Sequence, residues 1–179
     1  LRMKPVPEQQ QLAYLRGRIE SWNAEHPEEP MEASEEKLAL CAGFSDGYPA
    51  RAFALLRDPV FEEDRLGAAS LLERLPEMTA AEISEAAKEY AGEKEERFAG
   101  LMRLWFRDVL VLKAAGEERR ILFSDRRRAL GAAAQSVSYE GARRIWEAQD
   151  LYEKRRRANV SGAAALELLL LQARAALRG

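Results

Sequence analysis

The chain has 179 residues, of which 47% are apolar and 32% charged, and its formal net charge is -2. This balance is typical of a soluble globular protein, and it excludes a disordered chain or one that binds polyanions over its whole surface. Ala, Leu, Glu and Arg dominate, whereas Val, Ile and Thr are scarce. The composition therefore predicts an all-α fold.

The cellular compartment is indicated by what the sequence contains and lacks. Cys41 is the single cysteine, so no internal disulfide can form and a reducing compartment is expected. No apolar run approaches the ~18 residues that a membrane-spanning helix needs. No signal-peptide pattern opens the chain. We therefore expect a cytoplasmic protein.

The first third of the chain predicts three helices. The first begins near Glu8 and carries apolar residues at three- and four-residue spacing. These residues are Leu12, Leu15, Ile19 and Trp22. Ser34 is positioned to cap a second helix, and Pro49 opens a third after a tight turn over residues 45–48. We place a domain boundary near Asp58, which gives domains 1–58 and 59–179.

The remaining residues predict six further helices and no strand. Asp58 and Pro59 start the fourth helix, and Thr79 with Glu82 has the spacing of a capping box for the fifth. Residues 93–115 form the longest apolar pattern, which predicts a helix deep in the core that ends at Gly116. Three more helices follow, starting at residues 124–125, at Ser138 and after residues 159–161.

Charge is unevenly distributed. Residues 119–179 carry 13 Lys and Arg against 6 Asp and Glu, and the densest cationic runs are residues 126–128 and 154–157. Neither run is interleaved with aromatic residues of the kind that stack on bases. Solvated helix faces or contacts between subunits explain these runs better than nucleic-acid binding, which remains the alternative.

No catalytic or metal-binding pattern is present in the sequence. His26, the only histidine, lies in a Pro- and Glu-rich segment, and Cys41 falls on the apolar side of a helix, so a Cys-His pair is not expected. No Cys or His cluster has metal-ligand spacing. A phosphate-binding loop of the type G-x-x-x-x-G-K-[ST] is also missing. The chain is therefore predicted to be neither an enzyme nor a holder of a cofactor by itself.

One segment has a pattern typical of anion binding. Gly47 allows a sharp turn, Pro49 starts a helix whose free N–H groups favour an anion, and Arg51 lies in the first turn of that helix. A turn followed by a surface arginine is also common without any ligand. Arg51 is therefore a candidate nucleotide contact, with an ordinary surface residue as the alternative.

Four segments, taken in order, resemble a known family. Residues 3–8 (MKPVPE) and 41–52 (CAGFSDGYPARA) resemble two stretches of the lid subdomain of clamp-loader ATPases. Residues 105–113 (WFRDVLVLK) and 159–170 (NVSGAAALELLL) resemble two helices of the bacterial collar domain. The chain is thus similar to bacterial clamp-loader subunits, most of all to the delta-prime family and then to tau/gamma.

The resemblance implies a fold and a role. Residues 1–58 would be a small helical AAA+ lid subdomain, and 59–179 a helical-bundle collar domain. Arg51 would match the lid's sensor arginine. The chain begins Leu1-Arg2-Met3, and a preceding ATPase subdomain, which carries the family's arginine finger, is expected. ATP would belong to the intact complex, and the partners would be tau/gamma, delta, the sliding clamp and primed DNA.

The collar reading also predicts where other subunits would bind. Apolar side chains of the last two helices are expected to be covered by ring neighbours. The candidates are Trp146, Tyr152, Leu166 and Leu170. The alternative is a free-standing helical adaptor that binds nucleic acid through its basic C-terminal third.

Overall fold

A computed structural model describes residues 4–117 and 121–179 of the chain. Within these residues the secondary structure consists of nine α-helices and short turns, with no strand. This confirms the all-α fold expected from the composition. The helices are α1 (Glu8–Glu25), α2 (Glu35–Phe44), α3 (Pro49–Arg57), α4 (Phe61–Arg74), α5 (Ala80–Tyr90), α6 (Glu95–Ala115), α7 (Arg127–Ser136), α8 (Tyr139–Arg157) and α9 (Gly162–Leu177).

The chain divides into two compact units, Leu1–Glu62 and Glu63–Gly179. The division falls in the first turn of α4, a few residues beyond the boundary placed near Asp58 from the sequence. The first unit contains α1 to α3, and the second contains α5 to α9 with most of α4.

The first unit is built around α2 and α3, which bury most of their apolar side chains. Leu15 is the one member of the predicted α1 stripe that is fully buried, since Leu12, Ile19 and Trp22 stay partly exposed. The second buried residue of α1 is polar, Gln11. The core of the unit consists of Leu15, Leu38, Cys41, Ala42, Phe44, Ala52, Phe53, Leu56 and Phe61.

The second unit is organised around α6, which packs against α7, α8 and α9. The prediction that this helix lies deep in the core is confirmed for six apolar side chains that are at most 4% exposed, whereas Leu110 and Leu112 near its end are partly exposed. The six buried side chains are Phe98, Leu101, Met102, Trp105, Phe106 and Val109. Trp105 meets Phe123 edge to face at a centroid distance of 5.3 Å, an arrangement that aromatic rings prefer.

Side chains and glycines define the helix ends largely as the sequence predicts. The Thr79 hydroxyl accepts from Glu82 N, and Thr79 N donates to Glu82 Oε2 at 2.7 Å, which completes the capping box. Ser34 and Ser138 likewise accept backbone N–H groups of α2 and α8. Gly116 ends α6 with a left-handed φ of 61°. The three capping side chains mark where α2, α5 and α8 begin, and Gly116 marks where α6 ends.

Three helices begin later than expected. Pro59 disfavours helical backbone at the preceding residue, and Asp58 Oδ1 instead accepts from Val60 N at 3.1 Å. This turn delays α4 to Phe61. Short 3-10 turns, Gly92–Lys94 and Ser124–Arg126, precede α6 and α7 and occupy residues that the sequence assigns to the α-helices themselves.

Candidate functional site

The two segments of the first unit that resemble the lid are in contact with each other. Val6 N donates to Gly47 O at 2.8 Å, and a Cβ at position 47 would lie 2.4 Å from Pro5 Cβ. Gly47 also has a φ of +83°, which only glycine adopts without strain. Glycine is therefore required here for two independent reasons, the turn itself and the chain that crosses it.

A buried polar pair, Gln11 and Ser45, also holds the segment around Val6 against the turn that contains Gly47. Gln11 Nε2 donates to Val6 O at 3.0 Å, and Ser45 Oγ donates to Gln11 Oε1 at 2.6 Å. Gln11 and Ser45 are 4% and 0% exposed, so these bonds satisfy groups that water cannot reach. The pair ties α1 to the residues that precede α3.

Arg51 lies in the first turn of α3, as the sequence predicts, and its guanidinium is exposed. Arg51 Nη1 donates to Asp46 Oδ2 at 2.6 Å, with both side chains more than half exposed. No side chain caps the N-terminus of α3, whose N-cap residue is Tyr48. A phosphate approaching Arg51 would therefore find available N–H groups but would compete with Asp46. Sequence analysis missed this carboxylate, although an aspartate in the turn before an arginine is a recognisable signal.

In the third segment, residues 105–113, Asp108 has a structural role. Its side chain is completely buried, and Oδ2 accepts from Leu122 N at 2.6 Å and Phe123 N at 2.9 Å. Arg107 Nη1 donates to Oδ1 at 2.7 Å. Burial raises the pKa of Asp108 more than these donors lower it. The carboxylate fastens the segment before α7 to α6 and holds Phe123 against Trp105.

The fourth segment, residues 159–170, begins with a defined helix termination. Val160 N donates to Arg155 O and Asn159 N to Arg156 O, both at 3.0 Å, which is the Schellman arrangement. Asn159 has a φ of +58°, a left-handed conformation that asparagine tolerates better than most residues. The asparagine of this motif thus ends α8 and starts the turn into α9.

A buried carboxylate completes the same turn. Glu95 is 5% exposed, and its Oε1 accepts from the Tyr152 hydroxyl at 2.9 Å and pairs with Arg156 Nε. Burial and then the neighbouring Glu95 raise the pKa of the Tyr152 hydroxyl. A Cβ at Gly162 would lie 2.0 Å from Glu95 Oε2. Glycine at the start of α9 therefore makes room for the carboxylate that holds the end of α8.

The residues predicted to contact other subunits differ in exposure. Trp146 is partly exposed. Leu166 and Leu170 have no exposed surface, and Tyr152 is 5% exposed. These three lie in the core of the second unit and offer no surface to a partner in this conformation. Leu166 and Leu170 lie on the side of α9 that packs against α5 and α8, and Tyr152 of α8 bonds to Glu95.

The exposed apolar side chains of α9 lie on its opposite side. The spacing in the last helix predicts Leu166, Leu169, Leu170 and Ala173 on its buried side, and all four are at most 1% exposed. Leu168 is 41% exposed and Leu171 is partly exposed. Ala164, one turn before Leu168, and Ala175, one turn after Leu171, lie on the same side of the helix and are exposed. We call this stripe the outer face of α9: Ala164, Leu168, Leu171 and Ala175. It is uncharged and has the four- and three-residue spacing with which helices pack on each other.

The cationic runs have mixed surroundings. Arg126 pairs with Glu73 at 3.4 Å, and Arg156 points inward to Glu95. Lys154 and Arg157 are exposed, and neither has an ion pair among the described residues. The basic C-terminal third is thus partly used for internal structure, with a smaller exposed cationic group at the end of α8.

The remaining candidate residues are the metal-ligand types, the single cysteine and the single histidine. No group of three or more His, Cys, Asp and Glu side chains in this part of the chain could hold a metal ion. Cys41 is fully buried, whereas His26 is exposed and stacks on Trp22. Nor is any helix in residues 4–117 and 121–179 long and apolar enough to cross a membrane.

Comparison with known proteins adds no relative. No protein-family model, curated protein or solved structure matches the chain.

Proposed function

We propose that the chain is a non-catalytic assembly part of a bacterial clamp loader, of the delta-prime type found with DNA polymerase III. Its role is to associate with tau/gamma and delta subunits in the ring that loads the sliding clamp onto primed DNA. The ring works in the cytoplasm and uses ATP bound by the intact complex.

The observation that supports the proposal most is the structural role of one residue in each of three of the four resembling segments. Gly47, Asp108 and Asn159 each occupy a position that few other residue types could fill, at a crossed turn, a buried clamp and a helix termination. A chance resemblance would more readily involve interchangeable surface residues. Demanding positions repeated in the right order favour a shared architecture.

The assembly surface in this proposal is the outer face of α9. It is apolar, uncharged and exposed in the isolated chain, and such a helix stripe is typical of a surface that a partner covers. Trp146 on α8 is the one sequence-predicted interface residue that still reaches the surface.

Arg51 is proposed as the nucleotide contact of the first unit. In the isolated chain its guanidinium pairs with Asp46. Binding of a phosphate at the start of α3 would replace this carboxylate with a ligand of higher charge, which guanidinium groups favour. The second, nucleic-acid-binding hypothesis draws its support from the exposed Lys154 and Arg157.

The test is co-purification of the chain with tau/gamma and delta, using a matched pair of variants. Leu168→Asp places a charge on the outer face of α9, whereas Val60→Asp places one on a side chain of similar exposure, 44% against 41%. Wild type and Val60→Asp are expected to bind both partners, and Leu168→Asp is expected to lose them. Failure of the wild-type chain to co-purify with either subunit would contradict the proposal.

A titration of the chain with primed DNA at low and at high salt distinguishes the adaptor hypothesis from the clamp-loader proposal. The adaptor hypothesis predicts direct binding that weakens steeply as salt is raised, because released counterions drive such binding. It also predicts that Lys154→Ala with Arg157→Ala abolishes binding while Arg51→Ala leaves it unchanged. The clamp-loader proposal predicts no DNA binding by the chain alone at either ionic strength.

A further inference from the structure

Two arginines of the first unit lie over aromatic rings. The guanidinium carbon of Arg57 is 4.1 Å from the ring centre of Trp22 and 6.0 Å from that of Phe53. The guanidinium carbon of Arg18 is 5.1 Å from the Phe53 ring centre. The His26 ring stacks on Trp22 at 3.8 Å and 11°. We call these five residues the aromatic–arginine cluster.

The cluster follows from helical spacing. Arg18 and Trp22 are four residues apart on α1, and His26 follows after four more, directly beyond the end of the helix. Phe53 and Arg57 are four residues apart on α3. Side chains at this spacing share one face of a helix, so the packing of α1 on α3 brings the two faces together.

Arg18 and Arg57 differ from the other described arginines of the first unit in that they form no ion pair with a described residue. Arg16 is bound by Glu35 and Arg51 by Asp46. Within residues 4–117 and 121–179, neither Arg18 nor Arg57 has an ion pair. A guanidinium held over a ring keeps N–H donors along its edge, and the contact with the ring limits its movement. The cluster therefore presents two ordered cations whose edges can still bind oxygen acceptors.

We propose that the aromatic–arginine cluster is a docking surface for an acidic peptide segment of a partner protein. Carboxylates of the segment accept from the edges of Arg18 and Arg57. This inference concerns the first unit and does not depend on the clamp-loader proposal.

Charge in the surroundings favours a short peptide over nucleic acid. Residues 1–60 carry 7 Lys and Arg against 10 Asp and Glu, so this part of the chain has an excess of negative charge, which disfavours a ligand with many anionic groups. A nucleic acid strand would bring further phosphates against the surrounding carboxylates. A segment with a few carboxylates needs only the two guanidinium groups.

The experiment is a fluorescence anisotropy titration of the full chain with a short fluorescein-labelled peptide of repeated Glu-Glu-Phe. The cluster variant is Arg18→Ala with Arg57→Ala. The control is Arg16→Ala with Lys37→Ala, which removes two exposed positive charges from the same unit. Wild type and control are expected to bind the peptide with the same affinity. The cluster variant is expected to bind it at least about tenfold more weakly, since hydrogen bonds to charged groups are strong.

Several results would overturn the inference. The first is that wild type does not bind the peptide at low salt. The second is that the control variant loses as much peptide affinity as the cluster variant. The third is that single-stranded DNA displaces the labelled peptide at a lower concentration than unlabelled peptide does. Should the cluster variant lose helicity by circular dichroism, amide chemical shifts of wild type decide instead. Peptide-induced shifts centred on residues 18–26 and 53–57 are expected, and shifts confined to other residues contradict the proposal.

Discussion

Both units carry ion pairs on their surfaces, but among the described residues only the second unit also buries charged side chains. In the first unit the ion pairs Arg16–Glu35 and Arg51–Asp46 lie on the surface, with every side chain at least half exposed. In the second unit Arg65, Glu95 and Asp108 are at most 5% exposed. A surface pair can be lost with little effect, whereas a buried charge that loses its partner is costly.

The difference indicates how each unit obtains its shape. The first relies on glycine and on a neutral buried pair at the turn before α3. The second uses buried carboxylates to fasten irregular segments, one before α7 and one before α9. Substitutions in each unit can test this difference, and the expected effects are given below from the largest to the smallest.

Asp108→Ala is expected to have the largest effect on stability. It leaves the backbone N–H groups of Leu122 and Phe123 without their acceptor inside the protein, and each such group costs about 1–3 kcal/mol. We expect a loss of about 2–4 kcal/mol in the free energy of unfolding, measured with urea. Asp108→Asn, which keeps a side-chain oxygen, should lose less; equal losses would contradict the role of the carboxylate as acceptor.

Gly47→Ala should destabilise the first unit by about 2–3 kcal/mol, from strain and a clash with Pro5 together. Gly92→Ala is the matched control in the second unit. Gly92 has nearly the same φ, 79° against 83°, but no atom within 4 Å of the added Cβ. Its loss is expected to be about 1 kcal/mol by thermal or urea denaturation. Similar losses of stability at both positions would show that the contact with Pro5 does not contribute to the cost of the substitution at Gly47.

Gly162→Ala should cost about 1–3 kcal/mol, because the methyl group meets the buried Glu95 carboxylate. Gly131→Ala, in the middle of α7 with open space around it, should instead stabilise by about 0.5–1 kcal/mol. Denaturation of both variants measures the difference. If Glu95→Ala does not reduce the cost of Gly162→Ala, the proposed contact is wrong.

The pH dependence of stability tests the burial of Asp108. Its pKa in the folded state is raised, chiefly by burial, so its contribution to stability is complete below the unfolded pKa of about 3.9 and is lost as pH rises through the folded value. Relative to Asp108→Asn, the wild type should lose stability as pH rises from about 4. A difference that is constant with pH would mean that burial does not perturb this carboxyl group.

Arg16→Ala is expected to have the smallest effect. Arg16 forms a double hydrogen bond with Glu35, at 3.0 Å and 2.6 Å, but both groups lie in solvent, where salt and side-chain entropy remove most of the gain. The midpoint of urea unfolding should match that of the wild type within error. A clear loss would show that the first unit also depends on its ion pairs.

Local signals in the sequence predicted the all-α fold and most helix ends. Ser34, Thr79, Gly116 and Ser138 act through residues within four positions along the chain, so their roles can be read from spacing. The contact of Pro5 with Gly47 and that of Glu95 with Gly162 join residues more than 40 positions apart. No local pattern encodes such contacts.

The candidate site was less predictable. Arg51 was placed correctly in the first turn of α3, but its partner Asp46 was not foreseen. For α9, the spacing predicted the buried side correctly, but a buried side can pack either within the chain or on a partner subunit. Leu166 and Leu170 were therefore also interface candidates, and only the packing of α9 against α5 and α8 shows that they lie in the core of the second unit.

The mass of the complex formed with other clamp-loader subunits tests the central claim most directly. Size-exclusion chromatography with light scattering gives this mass for the chain mixed with tau/gamma and delta. The account predicts one larger species that contains the chain, and a chain that remains monomeric when run alone. A chain that elutes by itself from that mixture, or turns over a substrate with nothing added, would contradict the account.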